Sequence, residues 1–195
     1  LVAHLDYTYG LNGLPRPAWY SVNLIDAGAI LADARWARER GAEFVVLTIH
    51  WGIEYQHAPT AEQAALAERL TASPDIDLII GSHAHVVQPI GRVNGKVVVY
   101  GMGNHLSNQN SRWGSKYDST EDGVIVQITV SEHADGRFAA TSVRYTPTWV
   151  EMGSYRVVPA AWARAAGAGD AGLVAASLAR TTGYVTMLGT DGLEA

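Results

Sequence analysis

The chain has 195 residues, 48% of them hydrophobic, which is enough for a single domain with a sizeable core. Its formal net charge of −5 gives no electrostatic reason to expect a nucleic-acid partner. The absence of cysteine excludes disulfides and thiolate metal sites, so His, Asp, Glu or Asn must hold any metal. No apolar run reaches the ~18 residues of a transmembrane helix, and residue 1 does not open a signal peptide.

The first predicted elements are a strand, a loop and a helix. Residues 1–8 are strand-like, and residues 10–17 form a loop rich in Gly, Asn and Pro. A helix is predicted within residues 23–40, with Asp26 as its N-cap and Gly41 after its end. Its apolar stripe is expected to face the core and contains four residues: Ile30, Leu31, Ala34 and Ala37.

A strand–helix–strand unit follows and organises the rest of the chain. Residues 43–50 and 75–80 are apolar runs typical of buried strands. Residues 60–71 are predicted to be helical, because Thr60 and Gln63 are spaced as a capping box. A crossover of this length makes the two strands parallel.

Three histidines follow the ends of these strands. Parallel strands end at the same edge of a sheet, where open α/β sheets bind their ligands. His50 ends the first strand, and His83 and His85 follow the second. If residues 83–85 are extended, side-chain alternation points both imidazoles to one side. The three imidazoles can then converge on a metal ion, and we predict a metal site there.

The C-terminal half is predicted to be mainly β-structure followed by helix. Five segments are expected, in chain order: a hairpin turn at 91–95 leading into a strand at 96–100, a polar loop over the active edge at 107–121, an antiparallel hairpin of 123–130 with 137–146, an irregular or strand-like return at 147–158, and one or two helices at 159–181, broken around 167–169.

Four motifs occur in a distinctive order: His50-Trp-Gly-x-Glu-Tyr, Gly81-x-His-x-His-Val, Gln88-Pro-Ile and Tyr100-Gly-x-Gly-Asn. Together they resemble the CapA family of bacterial capsule and poly-γ-glutamate synthesis proteins, which is related to the calcineurin-like metallophosphoesterases. The resemblance extends from about residue 7 to residue 152. It indicates a bacterial protein, and it leaves the compartment open between the cytoplasm and the cell envelope.

The resemblance implies an α/β fold, a metallophosphoesterase-like α/β/β/α sandwich with mixed sheets flanked by helices. It also implies a centre of two divalent metal ions, of Mn, Zn or Fe, and it maps the family's histidines onto His50, His83 and His85. Two such cations lie about 3.5–4 Å apart and share a bridging water.

The chain departs from the family in two respects. The family's earlier Gly-Asp and Asn-Leu-Glu motifs, which supply carboxylate and amide ligands, do not occur. Either the site lacks its bridging ligand, or those ligands come from a missing N-terminal half of the domain, covalent or separate. We favour the second hypothesis, in which residues 1–195 form a single domain incomplete at its N-terminus. In addition, Gly103-Asn-His imitates a phosphoesterase motif but follows Gly-x-His-x-His instead of preceding it.

Other polar residues are candidates for supporting roles. Glu54, four residues after His50, is expected either to orient an imidazole or to act as a general base. Asn104 and His105 are candidates for lining the site, Asn104 as a substrate-binding residue and His105 as an alternative proton carrier. In the polar loop, Arg112 is a candidate for binding an anionic substrate, as is its neighbour Lys116.

Several residues in the same motifs have plainer interpretations. Trp51 and Tyr55 are expected to pack rather than contact substrate, and His57 and His133 are expected at the surface. His4 and Asp6 are expected to form a surface pair rather than a ligand set.

Three functions are consistent with these features. The first is a metal-dependent CapA-type enzyme that uses metal-activated water or hydroxide on a peptide or poly-γ-glutamate-like chain. The second is a metal-dependent peptide epimerase of natural-product biosynthesis, which removes a proton from an α-carbon. The third is a non-catalytic subunit of a capsule-synthesis assembly.

Overall fold

Two β-sheets form the framework of the computed structural model, which describes residues 1–195. The first sheet has the strand order β1-β2-β3-β5-β4, with β4 antiparallel to its neighbour and the other pairs parallel. Its strands are β1 Val2–Thr8, β2 Phe44–His50, β3 Leu78–Ser82, β4 Ile90–Val93 and β5 Lys96–Val99. The predicted parallel pairing of the two central strands is confirmed.

Two helices cover one face of this sheet, α1 Ala27–Glu39 and α2 Ala61–Thr71. Asp26 caps α1 by accepting a hydrogen bond from the backbone of Ala29, as predicted. Thr60 and Gln63 form the predicted capping box of α2. The buried stripe of α1 packs on alternate residues of the central strands, and this forms the first part of the core.

The second sheet contains β6 Asp122–Glu132, β7 Phe138–Glu151, β8 Arg156–Pro159 and the short β9 Leu193–Glu194. The predicted hairpin of β6 and β7 is confirmed. Of the irregular or strand-like return predicted at 147–158, the strand-like alternative is confirmed, because β7 continues to Glu151 and β8 pairs with it. The other face of the first sheet packs against this sheet, and the two together bury the second part of the core.

The C-terminal helices are α3 Ala160–Ala166 and α4 Ala171–Val185, separated near Gly167 as predicted. Alternate residues of β6 point inward, and they include Asp122, which contacts α4 through Ser177 and Arg180. The helix α4 therefore lies against the inner face of the second sheet, while Ile125 on the outer face is 48% exposed. No helix is long and apolar enough to cross a membrane.

The predicted α/β class, with mixed sheets flanked by helices, is confirmed. Both boundaries of β3 differ from the prediction: the strand begins at Leu78 and ends at Ser82, whereas the prediction placed it at residues 75–80. Asp77 accounts for the late start, because its carboxylate accepts a hydrogen bond from the Val45 backbone and pairs with Arg38. Because β3 ends at Ser82, the segment that contains His83 and His85 leaves the sheet two residues later than predicted.

Candidate metal centre

The carboxyl ends of the first three strands meet at one level. Thr8 is paired in register with His50, and His50 with Ser82. A cleft of about 500 Å³ opens above this edge. Its lining includes every imidazole predicted to bind metal, together with two carboxylates and a tyrosine: His50, His83, His85, Asp6, Glu54 and Tyr9.

The three imidazoles lie side by side in this cleft. The ring centroids of His50 and His83 are 4.6 Å apart, and those of His83 and His85 are 6.5 Å apart. Glu54 Oε1 lies 3.9 Å from His85 Nε2. Residues about thirty positions apart in the sequence therefore share one pocket, because parallel strands end at the same edge.

The backbone places these rings differently from the prediction. Residues 83–85 are not extended, since His83 has φ of 103° and His85 has φ of 59°. Strand alternation therefore does not explain why the rings are close. Two non-glycine residues with positive φ in one turn are uncommon, and such strain is concentrated at functional sites.

A hydrogen bond fixes the tautomer of His85. Its Nδ1 lies 2.9 Å from Asn104 Oδ1, and Asn104 Nδ2 donates to the Thr120 carbonyl at 2.9 Å. Because the Asn104 amide nitrogen is engaged as a donor, its oxygen accepts the proton of His85 Nδ1. His85 Nε2 is then left with a lone pair facing the cleft beside Glu54.

The other two histidines are held by one hydrogen bond and by ring contacts. His50 Nδ1 lies 3.1 Å from Ser82 Oγ. The Tyr9 ring packs against His83 at 4.4 Å and against His50 at 5.9 Å, measured between centroids. On the far side, Tyr55 stacks on His85 at 5.8 Å. Packing and second hydrogen bonds of this kind orient imidazole ligands.

Burial in the cleft keeps two of these imidazoles neutral. Burial lowers the pKa of His50, and the nearby His85 lowers it further, although Asp6 and Glu54 oppose the effect. The pKa of His83 is also lowered, first by burial and then by His50. A neutral imidazole is the form that binds a metal.

The donor set fits a divalent cation in its chemistry. Neutral imidazole nitrogens and the carboxylates of Asp6 and Glu54 are typical ligands of Zn²⁺, Mn²⁺ or Fe²⁺. In geometry the set is not closed, since no three His, Asp or Glu side chains form a group that could hold one ion. The rings are neighbours, and they do not converge on a single point.

Three predicted site residues do not line this cleft: Asn104, His105 and Arg112. The side chains of His105 and Arg112 are both exposed. Asn104, expected to bind substrate, has both ends of its amide engaged with protein groups, so it positions His85 instead. The predicted general base Glu54 does line the cleft.

The remaining histidines behave in different ways. His57 was expected at the surface, which is wrong: it is half-buried, its Nδ1 lies 2.7 Å from the Val87 carbonyl and its ring stacks on Tyr184 at 3.5 Å. His133 is exposed and lines a separate cleft of about 680 Å³ at the opposite end of the first sheet. Trp51 is buried, as expected, and donates to the Tyr100 carbonyl at 2.9 Å.

Other residues of the cleft were not predicted, among them Asp6, Tyr9 and Ser82. A signal for Asp6 and Tyr9 was available, because a strand parallel to β2 would bring its last residues to the same edge. From the sequence, Asp6 is expected only to form a surface pair with His4. Instead Asp6 accepts from the Thr48 hydroxyl at 2.5 Å, and His4 Nε2 lies 3.0 Å from the same hydroxyl.

Together the two sheets and the cleft define the class of protein: an α/β protein with an imidazole-rich pocket at the carboxyl edge of its parallel strands. Residues 3–109 match the family described as bacterial capsule synthesis protein PGA_cap. The match covers more than half of the chain, and the chain belongs to this family. The resemblance drawn from the four motifs is thus confirmed.

Curated relatives match over about half of the chain. PGA biosynthesis protein CapA of Bacillus subtilis (strain 168) is 34% identical over 105 residues, which is 54% of this chain and 26% of that protein. Capsule biosynthesis protein CapA of Bacillus anthracis is 30% identical over 103 residues, 53% of this chain and 23% of that protein. The chain therefore spans about a quarter of the length of these relatives.

Two more distant matches complete the comparison. A probable polyglutamine synthesis accessory protein of Mycobacterium tuberculosis is 27% identical over 110 residues, 56% of this chain and 27% of that protein. Among solved structures, the sulfate thiohydrolase SoxB of Thermus thermophilus aligns with 92% of this chain and 26% of its own, at 23% identity and a TM-score of 0.44. A score of this size carries no argument about fold or function.

Proposed function

We propose that the histidine cleft is the divalent-metal centre of an enzyme that acts on a peptide or poly-γ-glutamate-like chain. The relatives are named for capsule and PGA biosynthesis, which supports a role in making or modifying such a polymer. The proposal depends on one observation: His50, His83 and His85 lie in one cleft, and two of them already use Nδ1 for protein contacts.

Each residue of the cleft has a distinct task in this proposal. His50, His83 and His85 would hold the metal, which when bound would polarise a substrate carbonyl and lower the pKa of water. Asn104 keeps the His85 tautomer whose Nε2 carries the lone pair. Glu54 is the base, because its carboxylate lies at the cleft beside His85 and makes no salt bridge with Lys or Arg.

Metal retention tests the centre directly. Protein supplied with Mn²⁺ or Zn²⁺ and then desalted should keep the metal, measured by elemental analysis. His83→Ala should lose it, while His133→Ala, which removes an exposed imidazole from the far cleft, should keep it. Equal metal content in the wild type and His83→Ala, or none in the wild type, would contradict the proposed centre.

The reaction can be assigned with one substrate in two solvents. A metal-loaded preparation is incubated with a γ-linked glutamate oligomer in H₂O and in D₂O, and the products are analysed by mass spectrometry and chiral chromatography. Cleavage without deuterium at the α-carbon supports hydrolysis. Deuterium uptake with inverted chirality and an intact chain supports an epimerase. If the chain is neither cleaved nor labelled with deuterium, the result supports a non-catalytic subunit. Glu54→Gln should reduce either reaction by about 10²-fold or more, since it removes the base.

A further inference from the structure

The segment 107–121 borders the cleft on the side of His85. It contains two short 3₁₀ turns, Ser111–Trp113 and Ser115–Tyr117. Asn110 is 8% exposed and Thr120 is fully buried, so both ends of these turns are anchored in the protein. Asn110 also caps the first turn by accepting from the backbone of Arg112 at 3.0 Å. Side chains on this segment are thus presented from a fixed backbone.

An aromatic wall, formed by Tyr55, Tyr117 and Trp113, leads away from the cleft. Tyr55 stacks on His85, and Tyr117 meets Tyr55 edge-on with centroids 5.0 Å apart. Trp113 meets Tyr117 edge-on at 5.6 Å. Gln109 donates to the Tyr55 hydroxyl at 3.3 Å, which fixes the first ring of the wall. The wall is continuous from the histidines to the surface.

Lys116 places a positive charge on this wall. Its Nζ lies 4.7 Å from the ring centroid of Tyr117 and 5.8 Å from that of Tyr55. It forms no salt bridge. A side-chain hydrogen bond with Tyr117 raises its pKa, and the nearby Glu54 acts in the same direction, so the ammonium stays charged at neutral pH.

The lining of the cleft contains no fixed positive charge of its own. None of its lining residues is Lys or Arg. Arg112 is exposed in the same segment, forms no cation–π contact with the aromatic wall and does not line the cleft. Lys116 is therefore the cation that a negatively charged substrate would meet beside the catalytic groups.

We propose that Lys116 is a specificity-determining residue that binds a substrate carboxylate at the rim of the cleft, while the aromatic wall packs against the aliphatic part of the chain. The inference rests on the proposed function, and it narrows the substrate to an acidic peptide. Ammonium groups over aromatic faces keep N–H donors free for an anion, and aromatic faces pack well against methylene groups. A γ-linked glutamate chain offers both features in every residue.

Binding of matched oligomers tests this role. The probes are a γ-linked glutamate hexamer and the same hexamer with its α-carboxylates amidated, titrated by calorimetry at low salt. Lys116→Met should weaken binding of the acidic hexamer about fivefold, as expected for one partly exposed ion pair, and should not change binding of the amidated one. Lys116→Arg should stay within about twofold of the wild type. Arg112→Met removes the same charge from the same segment and should also have no effect.

Three results would overturn the proposal: equal losses in Lys116→Met and Arg112→Met, no loss in Lys116→Met, or equal wild-type affinity for the two hexamers. The metal content of the same preparations shows whether the Lys116 proposal or the proposed metal centre has failed. If the wild type retains metal and prefers neither hexamer, the substrate assignment fails and the centre stands. If the wild type binds the acidic hexamer through Lys116 but retains no metal, the centre fails instead.

Discussion

Asn104 shows how single residues act in this site through their neighbours. Its amide oxygen fixes the proton of His85, and its amide nitrogen is fixed in turn by a backbone carbonyl. These two hydrogen bonds connect the Thr120 carbonyl to His85, whose Nε2 lone pair is a candidate metal ligand. Because outer contacts of this kind set ligand orientation, Asn104 contributes to metal affinity without touching the metal.

His57 is a second residue whose environment determines its chemistry. Burial lowers its pKa, although its hydrogen bond to the Val87 carbonyl and the charge of Asp122 oppose the effect. The unfolded chain, in which this imidazole has its ordinary pKa near 6.5, therefore takes up a proton more readily than the native state. The contribution of His57 to the free energy of unfolding is therefore fully present above the unfolded pKa. It is lost as the pH falls from the unfolded pKa through the lower folded pKa.

We expect this loss to disappear in His57→Phe, which can still stack on Tyr184 but cannot titrate. Urea unfolding at pH 7.5 and pH 5.5 should show a larger fall in the free energy of unfolding for the wild type than for the variant. Parallel falls in the two proteins would show that the charge state of His57 does not affect stability. His133→Phe serves as a control, because that imidazole is exposed.

At the scale of elements, a buried ion pair attaches α4 to the second sheet. Asp122 accepts from Arg180 through both carboxylate oxygens, at 2.7 and 3.0 Å, and from Ser177 at 2.6 Å. The Asp122 side chain is only 2% exposed. Tyr184, one helical turn further along, carries the ring on which His57 stacks. The helix therefore supports the segment that connects Glu54 to α2.

Arg180→Ala should lower the free energy of unfolding by about 3 kcal/mol, because it leaves the Asp122 carboxylate buried without its cation. The matched control is Arg156→Ala, whose exposed pair with Glu151 should contribute less than about 1 kcal/mol. Chemical denaturation of both variants gives the comparison. Equal costs would mean that the buried pair does not anchor α4.

At the scale of the whole molecule, the features that could be predicted from the sequence are those encoded locally. The N-cap at Asp26 and the capping box at Thr60 each place a helix end through contacts within a few residues. The turn at Asn94-Gly95 has both residues at positive φ, as a tight hairpin needs. The parallel crossover followed from the length of the connection.

The errors arose where distant contacts override the local pattern. The positive φ of His83 and His85 has no local signal, since histidine does not favour that conformation strongly enough to reveal it. The late start of β3 depends on Asp77 bonding to the backbone of β2. The burial of His57 depends on Tyr184, which is more than a hundred residues away in the chain. Residues in contact through tertiary structure alone cannot be paired from a single sequence.

The central claim is that His50, His83 and His85 supply ligands to a divalent-metal centre at the carboxyl edge of the first sheet. The most direct measurement is an anomalous-difference map from crystals of the protein grown with Mn²⁺. We predict a peak within coordination distance, about 2–2.3 Å, of nitrogens from these imidazoles. A peak only in the far cleft beside His133, or no peak at a saturating concentration of Mn²⁺, would contradict the account.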